Sequence, residues 1–303
     1  MALGIRPLND FAFKKIFGGG KNRYALISLL NAILKLEKPI VDVTIQNPIN
    51  TQDFAGDKLT VLDIKAIDAD GAIYNVEMQL SYFREMPKRL AFYGCELYAG
   101  QLVKGKKYRD LKPVFTICLA DYLVWSDSEQ GHHRFQLMDQ TSGKILHDTL
   151  EIHVIELRKF LTTEAELAAA TPIERWVFWL RYADQYDAET LKRLFPEMAM
   201  YTATESLETI FLKTEDKQMY DSSEKAQRDR ESLVDEAESR GEARGEARGE
   251  ARGEAKMLRE TIHFCQSILG IVQTPIADLE LLSVDQLDKI ATDLQSQVRG
   301  RVI

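Results

Sequence analysis

The segment LTVLDIKAIDADGAIYNVEMQL, residues 59–80, contains two runs in which polar and apolar side chains alternate. This alternation is typical of β-strands that have one apolar face and one polar face. The polar positions include Asp63 and Lys65 in the first run and Glu77 and Gln79 in the second. Two carboxylates, a cation and an amide on one face are groups that could hold a divalent metal ion and orient a water molecule.

The turn between the two runs decides whether these side chains meet. Its sequence, Ala-Asp-Gly at 69–71, suits a three-residue loop in which the glycine adopts a left-handed conformation and forms a bulge. Such a loop places Asp63 opposite Glu77 and Lys65 opposite Asn75, whereas a two-residue loop would put the two acids on opposite faces. The sequence therefore predicts a hairpin whose carboxylates face each other.

Two directly opposed carboxylates, with Cβ atoms about 5 Å apart, repel each other. They are tolerated when water surrounds them or when a divalent cation lies between them. Mg²⁺ prefers one or two carboxylates together with water and substrate phosphate oxygens. The alternative interpretation is an exposed sheet face that a nearby lysine neutralises, and the spacing alone leaves both interpretations open.

The elements around the hairpin predict an α/β fold with a mixed sheet. Amphipathic spacing indicates helices over 8–17 and 22–36, the first capped by Asn9 or Asp10 and ending at a Gly-Gly-Gly run. The remaining predicted elements are strands near 40–47, 59–67 and 72–80, a helix over about 87–103, an apolar strand at 113–119, two strands near 133–138 and 150–156, and helices over about 161–215.

The C-terminal part of the chain has a different composition. A GEAR repeat begins at Gly241 and ends as GEAK at Lys256. Its period of four places like charges at i,i+4, which opposes a helix, and each glycine costs about 1 kcal/mol relative to alanine. We therefore predict a marginal helix or a flexible spacer at 236–256, followed by a small helical tail at 257–303.

Composition limits the class of protein. No run of about 18 apolar residues is present, which argues against a membrane protein, and the first residues lack the apolar stretch of a signal peptide. Cys95, Cys118 and Cys265 are widely spaced in apolar contexts, so we predict buried thiols in the cytoplasm. The net charge is −8, yet residues 1–125 carry 17 basic and 13 acidic residues, which permits phosphate binding by this half.

Several segments resemble the PD-(D/E)xK nuclease family transposases, also called Rpn recombination-promoting nucleases. The resemblance covers roughly residues 5–235. The segments that carry it are DFAFKKIFG at 10–18, LLN at 29–31, LDIKAID at 62–68, YNVEMQ at 74–79, RLAFYGCELYAGQL at 89–102, KGKKYRDLKPVFTICLAD at 104–121 and IERWVFWL at 173–180. It implies a restriction-endonuclease-like core, α-β-β-β-α-β, with a C-terminal helical region.

The resemblance also implies roles for the hairpin residues. Asp63 and Glu77 match the two motif acids that hold Mg²⁺, or Mn²⁺ or Ca²⁺, and the backbone carbonyl of Met78 is a further ligand. Gln79 stands where the motif lysine usually stands, and Lys65 on the same face is a candidate for the missing charge. Expected near the site are an added acid, Asp10, which could equally be the helix cap, and the DNA phosphate contacts Lys14, Arg89, Tyr93 and Gln101. Core packing is the alternative role for Tyr93.

The expected activity is metal-dependent hydrolysis of DNA phosphodiester bonds, in recombination, mobile-element biology or phage defence. A catalytically inactive DNA-binding or regulatory protein with the same fold is the alternative, because Gln79 replaces the motif lysine. The predicted organisation is a nuclease core at 1–160, a helical extension at 161–235, the charged repeat and the tail. DNA is the expected partner, no membrane is expected, and a homodimer is compatible with the sequence.

Overall fold

A mixed β-sheet forms the centre of the N-terminal part of the protein. The computed structural model describes residues 1–19, 22–46 and 63–301. Within these residues the sheet has six strands in the order β1-β2-β3-β4-β6-β5. Their bounds are β1 Val43–Gln46, β2 Ile64–Asp68, β3 Ile73–Gln79, β4 Val114–Ala120, β5 His132–Gln136 and β6 Leu150–Glu156. β3, β4 and β6 are parallel, and the remaining pairs are antiparallel.

Helices surround the sheet and continue beyond it. Their bounds are α1 Asp10–Phe17, α2 Arg23–Leu34, α3 Met86–Ala99, α4 Pro172–Tyr182, α5 Ala188–Leu194, α6 Met198–Leu212, α7 Thr214–Leu269, α8 Ile276–Glu280 and α9 Val284–Arg301. The order helix, three strands, helix, strand confirms the predicted α/β fold with its restriction-endonuclease-like core and C-terminal helices. Among the described helices, none combines the length and apolarity needed to cross a membrane.

The hairpin of β2 and β3 has the predicted register. Lys65 pairs with Asn75, and Ile64 pairs with Val76. Gly71 has φ +89°, and its N–H donates to the carbonyl of Asp68, so the turn is the three-residue type with a left-handed glycine. The predicted pairing of Val61 with Gln79 lies outside the described residues.

Asp63 and Glu77 lie at one edge of the sheet. Because β3, β4 and β6 are parallel, their C-terminal ends lie together there, and the start of antiparallel β2 lies beside them. One face of the sheet packs against α1, α2 and α4–α6, where Trp176 and Trp179 are fully buried. α3 covers the other face by packing on β4 and β6.

The chain divides into two compact units, Met1–Gln227 and Arg228–Ile303. In the first unit, the helices predicted at 161–215 share one hydrophobic core with α1, α2 and the sheet. In the second unit, the end of α7 packs with α8 and α9 around Ile262, Leu279 and Leu287. The GEAR repeat lies inside α7, so of the two alternatives predicted for it the structure has the helix.

The prediction that all three cysteines are buried is wrong for one of them. Cys118 and Cys265 are buried, but Cys95 is exposed, and none forms a disulfide. Cys95 lies on α3 beside the buried Gly94. α3 has few buried positions, and its apolar sequence context therefore does not place the thiol in a core.

Candidate active site

The two predicted acids meet at the end of the hairpin. Asp63 immediately precedes β2, and Glu77 lies near the C-terminal end of β3. The Oδ2 atom of Asp63 accepts a hydrogen bond of 2.8 Å from the N–H of Met78, the residue after Glu77. This bond joins the first acid to the strand that carries the second acid and positions both at the edge where three parallel strands end.

Glu77 is fully buried because α3 lies over this face of the sheet. Gly94 permits the close approach of the helix, since an added Cβ would lie only 2.4 Å from a methyl group of Leu150 and 3.1 Å from the hydroxyl of Thr116. α3 therefore packs closely on β4 and β6, and Asn75 and Glu77 on the same face of neighbouring β3 are fully buried, so the exposed, solvated sheet face considered in the sequence analysis does not form at these positions.

The carboxylate of Glu77 is incompletely satisfied. Its Oε1 accepts a hydrogen bond of 3.2 Å from the Asn75 amide, but no donor in the described part of the chain hydrogen-bonds to its Oε2. Burial, followed by the negative charge of Asp63, raises the pKa of Glu77 to about 8. A buried carboxylate oxygen without a donor is costly unless something positively charged binds to it.

Asp63 shares this environment. Burial raises its pKa, although the N–H of Met78 and the charge of Lys14 act in the opposite direction. The predicted Met78 carbonyl ligand is compatible with the backbone, because the N–H and C=O of a strand residue point to the same side. Since the N–H of Met78 points to Asp63, its carbonyl faces the same side of β3.

α1 brings a second acid and a cation to Asp63. Asn9 is the helix cap, because its side chain accepts from the N–H groups of Phe11 and Ala12, and Asp10 is therefore free of that role. Lys14 Nζ lies 2.8 Å from Asp10 and 3.7 Å from Asp63. Burial lowers the pKa of Lys14, but hydrogen bonding to Asp10 and the charges of both acids outweigh it and raise the pKa overall.

α3 brings an arginine to Glu77. Arg89 Nη2 lies 3.5 Å from Glu77 Oε2, and Arg89 Nε donates a hydrogen bond of 2.6 Å to the hydroxyl of Tyr93. The Tyr93 ring is buried and lies under the guanidinium group. The Tyr93 ring therefore packs in the interior, as its alternative role predicted, and its hydroxyl orients Arg89, while its contact with a DNA phosphate stays a prediction.

Lys65 and Gln79 flank the acids along the strands. Lys65 pairs with Asn75 and Gln46, away from the edge, and burial lowers its pKa. No ion pair to Lys65 forms within the described residues. Gln79 ends β3, and its carbonyl accepts from the N–H of Asp121. Of the two lysines, Lys14 is the one in contact with an acid of the site.

Gln101 does not join the site. It follows the C-terminal end of α3, whereas Arg89 lies in the first turn of that helix. Both ends of its amide bond to the backbone of Lys112, with its Nε2 2.9 Å from the carbonyl and its Oε1 2.9 Å from the N–H. The helical spacing to Arg89 and Tyr93 was therefore misleading, because α3 ends at Ala99 and the amide fastens the loop that follows.

Asn75 belongs to the site although sequence reasoning gave it no role. It is fully buried, donates to Glu77, and has an Oδ1 atom without a hydrogen-bond donor among the described residues. Thr116, on the neighbouring strand, is paired with Asn75 and has an equally unpartnered hydroxyl. The alternation that revealed Glu77 also placed Asn75 on the same face, so that signal was present.

These groups fit a divalent metal ion. Among the described residues, no three His, Cys, Asp or Glu side chains converge to hold an ion by themselves. Asp63 and Glu77 would supply two oxygens, and water, a substrate phosphate or the Met78 carbonyl would complete the shell, which is the donor set that Mg²⁺ prefers. The unpartnered Glu77 Oε2 and the raised pKa values of both acids are what a cation at this point would relieve.

Comparison with known proteins gives one match. A family model described as PD-(D/E)XK nuclease family transposase matches residues 7–237, which is most of the chain. The matched region contains the hairpin and all of the side chains described above. No curated protein and no solved structure matches the chain.

Proposed function

The chain belongs to the PD-(D/E)XK nuclease family transposases, and from this premise we propose that it is a metal-dependent DNA endonuclease. The reaction is hydrolysis of a phosphodiester bond in DNA. The observation that carries the proposal is the pairing of Asp63 with a fully buried Glu77 whose Oε2 has no hydrogen-bond donor among the described residues. Membership alone supports a nuclease-related role, and the acids supply the chemistry.

A divalent cation held by Asp63 and Glu77 would polarise a phosphoryl oxygen and lower the pKa of a bound water molecule. Asp63 offers its Oδ1, because its Oδ2 is engaged by the N–H of Met78. Glu77 offers its Oε2, because its Oε1 is engaged by Asn75. Each acid therefore has one oxygen held by a hydrogen bond and one that faces a cation of the site, Lys14 at 3.7 Å or Arg89 at 3.5 Å, so both carboxylates are oriented before anything binds.

The cations of the site surround the space where a phosphate would lie. Lys14 approaches Asp63 from α1, and Arg89 approaches Glu77 from α3. The hydroxyl of Tyr93 fixes the direction of Arg89. These two groups stabilise the negative charge that develops on the phosphoryl oxygens during attack, and the neutral amide of Gln79 orients a water molecule or a phosphate oxygen.

Lys14 compensates best for the absence of the motif lysine at Gln79. It contacts Asp63 directly, while Lys65 lies two residues further from the sheet edge along β2. The inactive DNA-binding alternative has less support, because a buried carboxylate and a partly buried one destabilise the fold when no cation or proton neutralises them. A protein that had lost catalysis would gain stability by losing one of these acids.

Plasmid nicking tests the proposal. Supercoiled DNA is incubated with Mg²⁺, Mn²⁺ or Ca²⁺ and either the wild-type protein or Asp63→Ala. We expect nicking by the wild type with Mg²⁺ or Mn²⁺, and a loss of about 10³-fold or more in the variant, because ligation of the cation is worth several kcal/mol. A folded Asp63→Ala protein that nicks at the wild-type rate refutes the assignment.

A further inference from the structure

Three arginines surround a pocket at the same edge of the sheet as the two acids. The pocket is lined by Arg6, Arg158 and Arg181, together with Asp121, Leu8 and Tyr182. Arg6 precedes α1, Arg158 lies in the turn that follows β6, and Arg181 lies on α4. The reaction proposed at Asp63 and Glu77 uses none of these three arginines.

The side chains that line the pocket include three arginines and one carboxylate. Asp121 is the carboxylate that lines the pocket, at 3.5 Å from Arg158 Nε and 3.9 Å from Arg181 Nε. Arg6 forms no ion pair within 4 Å in the described part of the chain, and burial raises the pKa of Asp184 despite the opposing charge of Arg6. The pocket therefore carries positive charge in a protein whose net charge is −8.

The three guanidinium groups are held differently. Arg181 is only 20% exposed, lies over the Tyr182 ring, and reaches the carbonyls of Leu157 and Phe160, so it supports the wall. Arg158 is 53% exposed and makes one ion-pair contact. An exposed pair of this kind contributes little stability, so the guanidinium can turn to a stronger bidentate partner such as phosphate.

The pocket lies close to the acids. Asp121 donates its N–H to the carbonyl of Gln79, two residues beyond Glu77, and Leu8 lies two residues before Asp10. Asp63 and Glu77 lie where β2 begins and β3 ends, and the pocket lies beside the C-terminal ends of β4 and β6. Two strand spacings, about 10 Å, therefore separate them along the edge. DNA carries one phosphate per about 3.4 Å of each strand, so both sites can engage one strand within about three nucleotides.

We propose that the pocket of Arg6, Arg158 and Arg181 binds a phosphate group of the DNA strand whose scissile phosphodiester lies at Asp63 and Glu77. The site rests on the proposed function, which it extends by fixing where the strand runs. Arg158 and Arg6 contact the phosphate, and Arg181 stabilises the side of the pocket through the carbonyls of Leu157 and Phe160. The phosphate is either an internal phosphodiester or a 5′-terminal phosphate, and both present the same oxygens to the guanidinium groups.

DNA binding by Arg158→Ala in the full chain tests the proposal. Arg109→Ala is the matched control, because Arg109 is also exposed, also lies near one acid at 4.0 Å, and precedes β4 at the opposite edge of the sheet. Binding of a fluorescent duplex is measured by anisotropy in EDTA, where no cleavage occurs. We expect about tenfold weaker binding and a salt dependence lower by about one in slope for Arg158→Ala, and neither change for Arg109→Ala.

Arg158→Lys separates geometry from charge, because it keeps the charge and loses the bidentate fork. It should bind with intermediate affinity while its Tm stays at the wild-type value. Oligonucleotides with a 5′-phosphate or a 5′-hydroxyl identify the source of the phosphate. Sensitivity to Arg158→Ala with both oligonucleotides indicates an internal phosphodiester, and sensitivity with the phosphorylated one alone indicates a terminal phosphate.

The proposal is overturned if Arg158→Ala and Arg109→Ala bind both oligonucleotides equally well, or if the wild-type protein binds neither. Mn²⁺ binding, followed by electron paramagnetic resonance, should be the same in Arg158→Ala and the wild type. If Arg158→Ala binds DNA as the wild type does while the wild type nicks plasmid, the phosphate pocket is refuted and the nuclease proposal stands. If Arg158→Ala binds DNA more weakly but the wild type nicks no plasmid, the nuclease proposal is refuted and a DNA-binding pocket remains.

Discussion

Two glutamates lie fully buried at one edge of the same sheet, and their surroundings differ. Glu156, at the end of β6, accepts from the N–H groups of Val124 and Trp125 through Oε2. Its Oε1 lies 2.9 Å from His133 Nε2 and 2.7 Å from Lys159 Nζ. All four partners come from this chain, so the carboxylate fastens the loop after β4 to β5 and to the turn after β6.

Glu77 has no such set of partners. It accepts one hydrogen bond, from Asn75, its nearest cation is 3.5 Å away, and it lies near a second acid. The difference teaches how to distinguish two kinds of buried acid. An acid that is satisfied within the fold serves stability, whereas one left short of donors beside a second carboxylate is suited to bind a cation supplied from outside.

The comparison predicts opposite outcomes for the same substitution at the two positions. Glu77→Gln should reduce Mg²⁺-dependent nicking by about 10³-fold or more, because a metal ligand is lost. At about pH 8 and above, its Tm without metal should equal or exceed that of the wild type, because glutamine cannot ionise in the buried position. Nicking assays and thermal unfolding in EDTA measure the two effects on one preparation.

Glu156→Gln should show the reverse. The change leaves Lys159, which is 8% exposed, without its anionic partner, and breaking a buried pair costs about 3–5 kcal/mol. We expect a Tm lower by about 10 °C for a unit of this size and near wild-type nicking well below that temperature. Equal losses of stability in the two variants would show that the two acids play the same structural role.

The lysines near the acids sharpen the comparison further. Lys14→Ala should reduce nicking by about 10²-fold, as expected for loss of one group that stabilises developing charge. Lys65→Ala is the matched control on the same hairpin and should change nicking by less than about tenfold. The opposite ranking would assign the missing motif charge to Lys65. DNA binding in EDTA, measured for both variants, separates catalysis from affinity.

The smallest predicted effect concerns pH. The pKa of Glu77 is raised to about 8 from the ordinary value of 4.5, so the folded protein binds a proton that the unfolded chain releases between these values. Stability without metal is therefore greatest below pH 4.5 as far as this group is concerned, and it falls as pH rises toward 8. Relative to Glu77→Gln, the wild-type Tm in EDTA should decrease by several degrees between about pH 5 and pH 8.

Added Mn²⁺ should reverse this trend, because a bound cation displaces the proton from Glu77 and binds more tightly as pH rises. Glu77→Gln should show no such gain. A wild-type Tm that follows the Glu77→Gln curve across the whole range without metal would contradict the raised pKa. Glu156→Gln, assayed in parallel, serves as the control for general effects of pH on the sheet edge.

Local physical rules made much of the site predictable. Alternation placed Asp63 and Glu77 on one face, and the Ala-Asp-Gly turn set the register, because a left-handed glycine allows a three-residue loop. Both depend on residues that are neighbours in the chain. The positions of α3 and α1 relative to the sheet depend on packing between distant segments, and so the burial of Glu77 and the contact of Lys14 with Asp63 had no local signal.

Gln101 shows where periodicity fails. Its spacing from Arg89 would place it on one helical face only if the helix continued, but α3 ends at Ala99 and the amide bonds to Lys112. The GEAR repeat shows a related limit. Local propensity left a spacer and a marginal helix open, and the structure contains one helix from Thr214 to Leu269.

The sequence by itself indicated the order of elements, the register of the hairpin and the opposed pair of Asp63 and Glu77, because these follow from residue types at short spacings, and the resemblance of its segments indicated the family. The tertiary structure alone decided that Glu77 is buried beneath α3 with one oxygen unsatisfied, that Lys14 lies at Asp63, and that Arg6, Arg158 and Arg181 surround one pocket. These are consequences of how separate elements pack, since strand ends that are far apart in the chain meet at one edge of a parallel sheet.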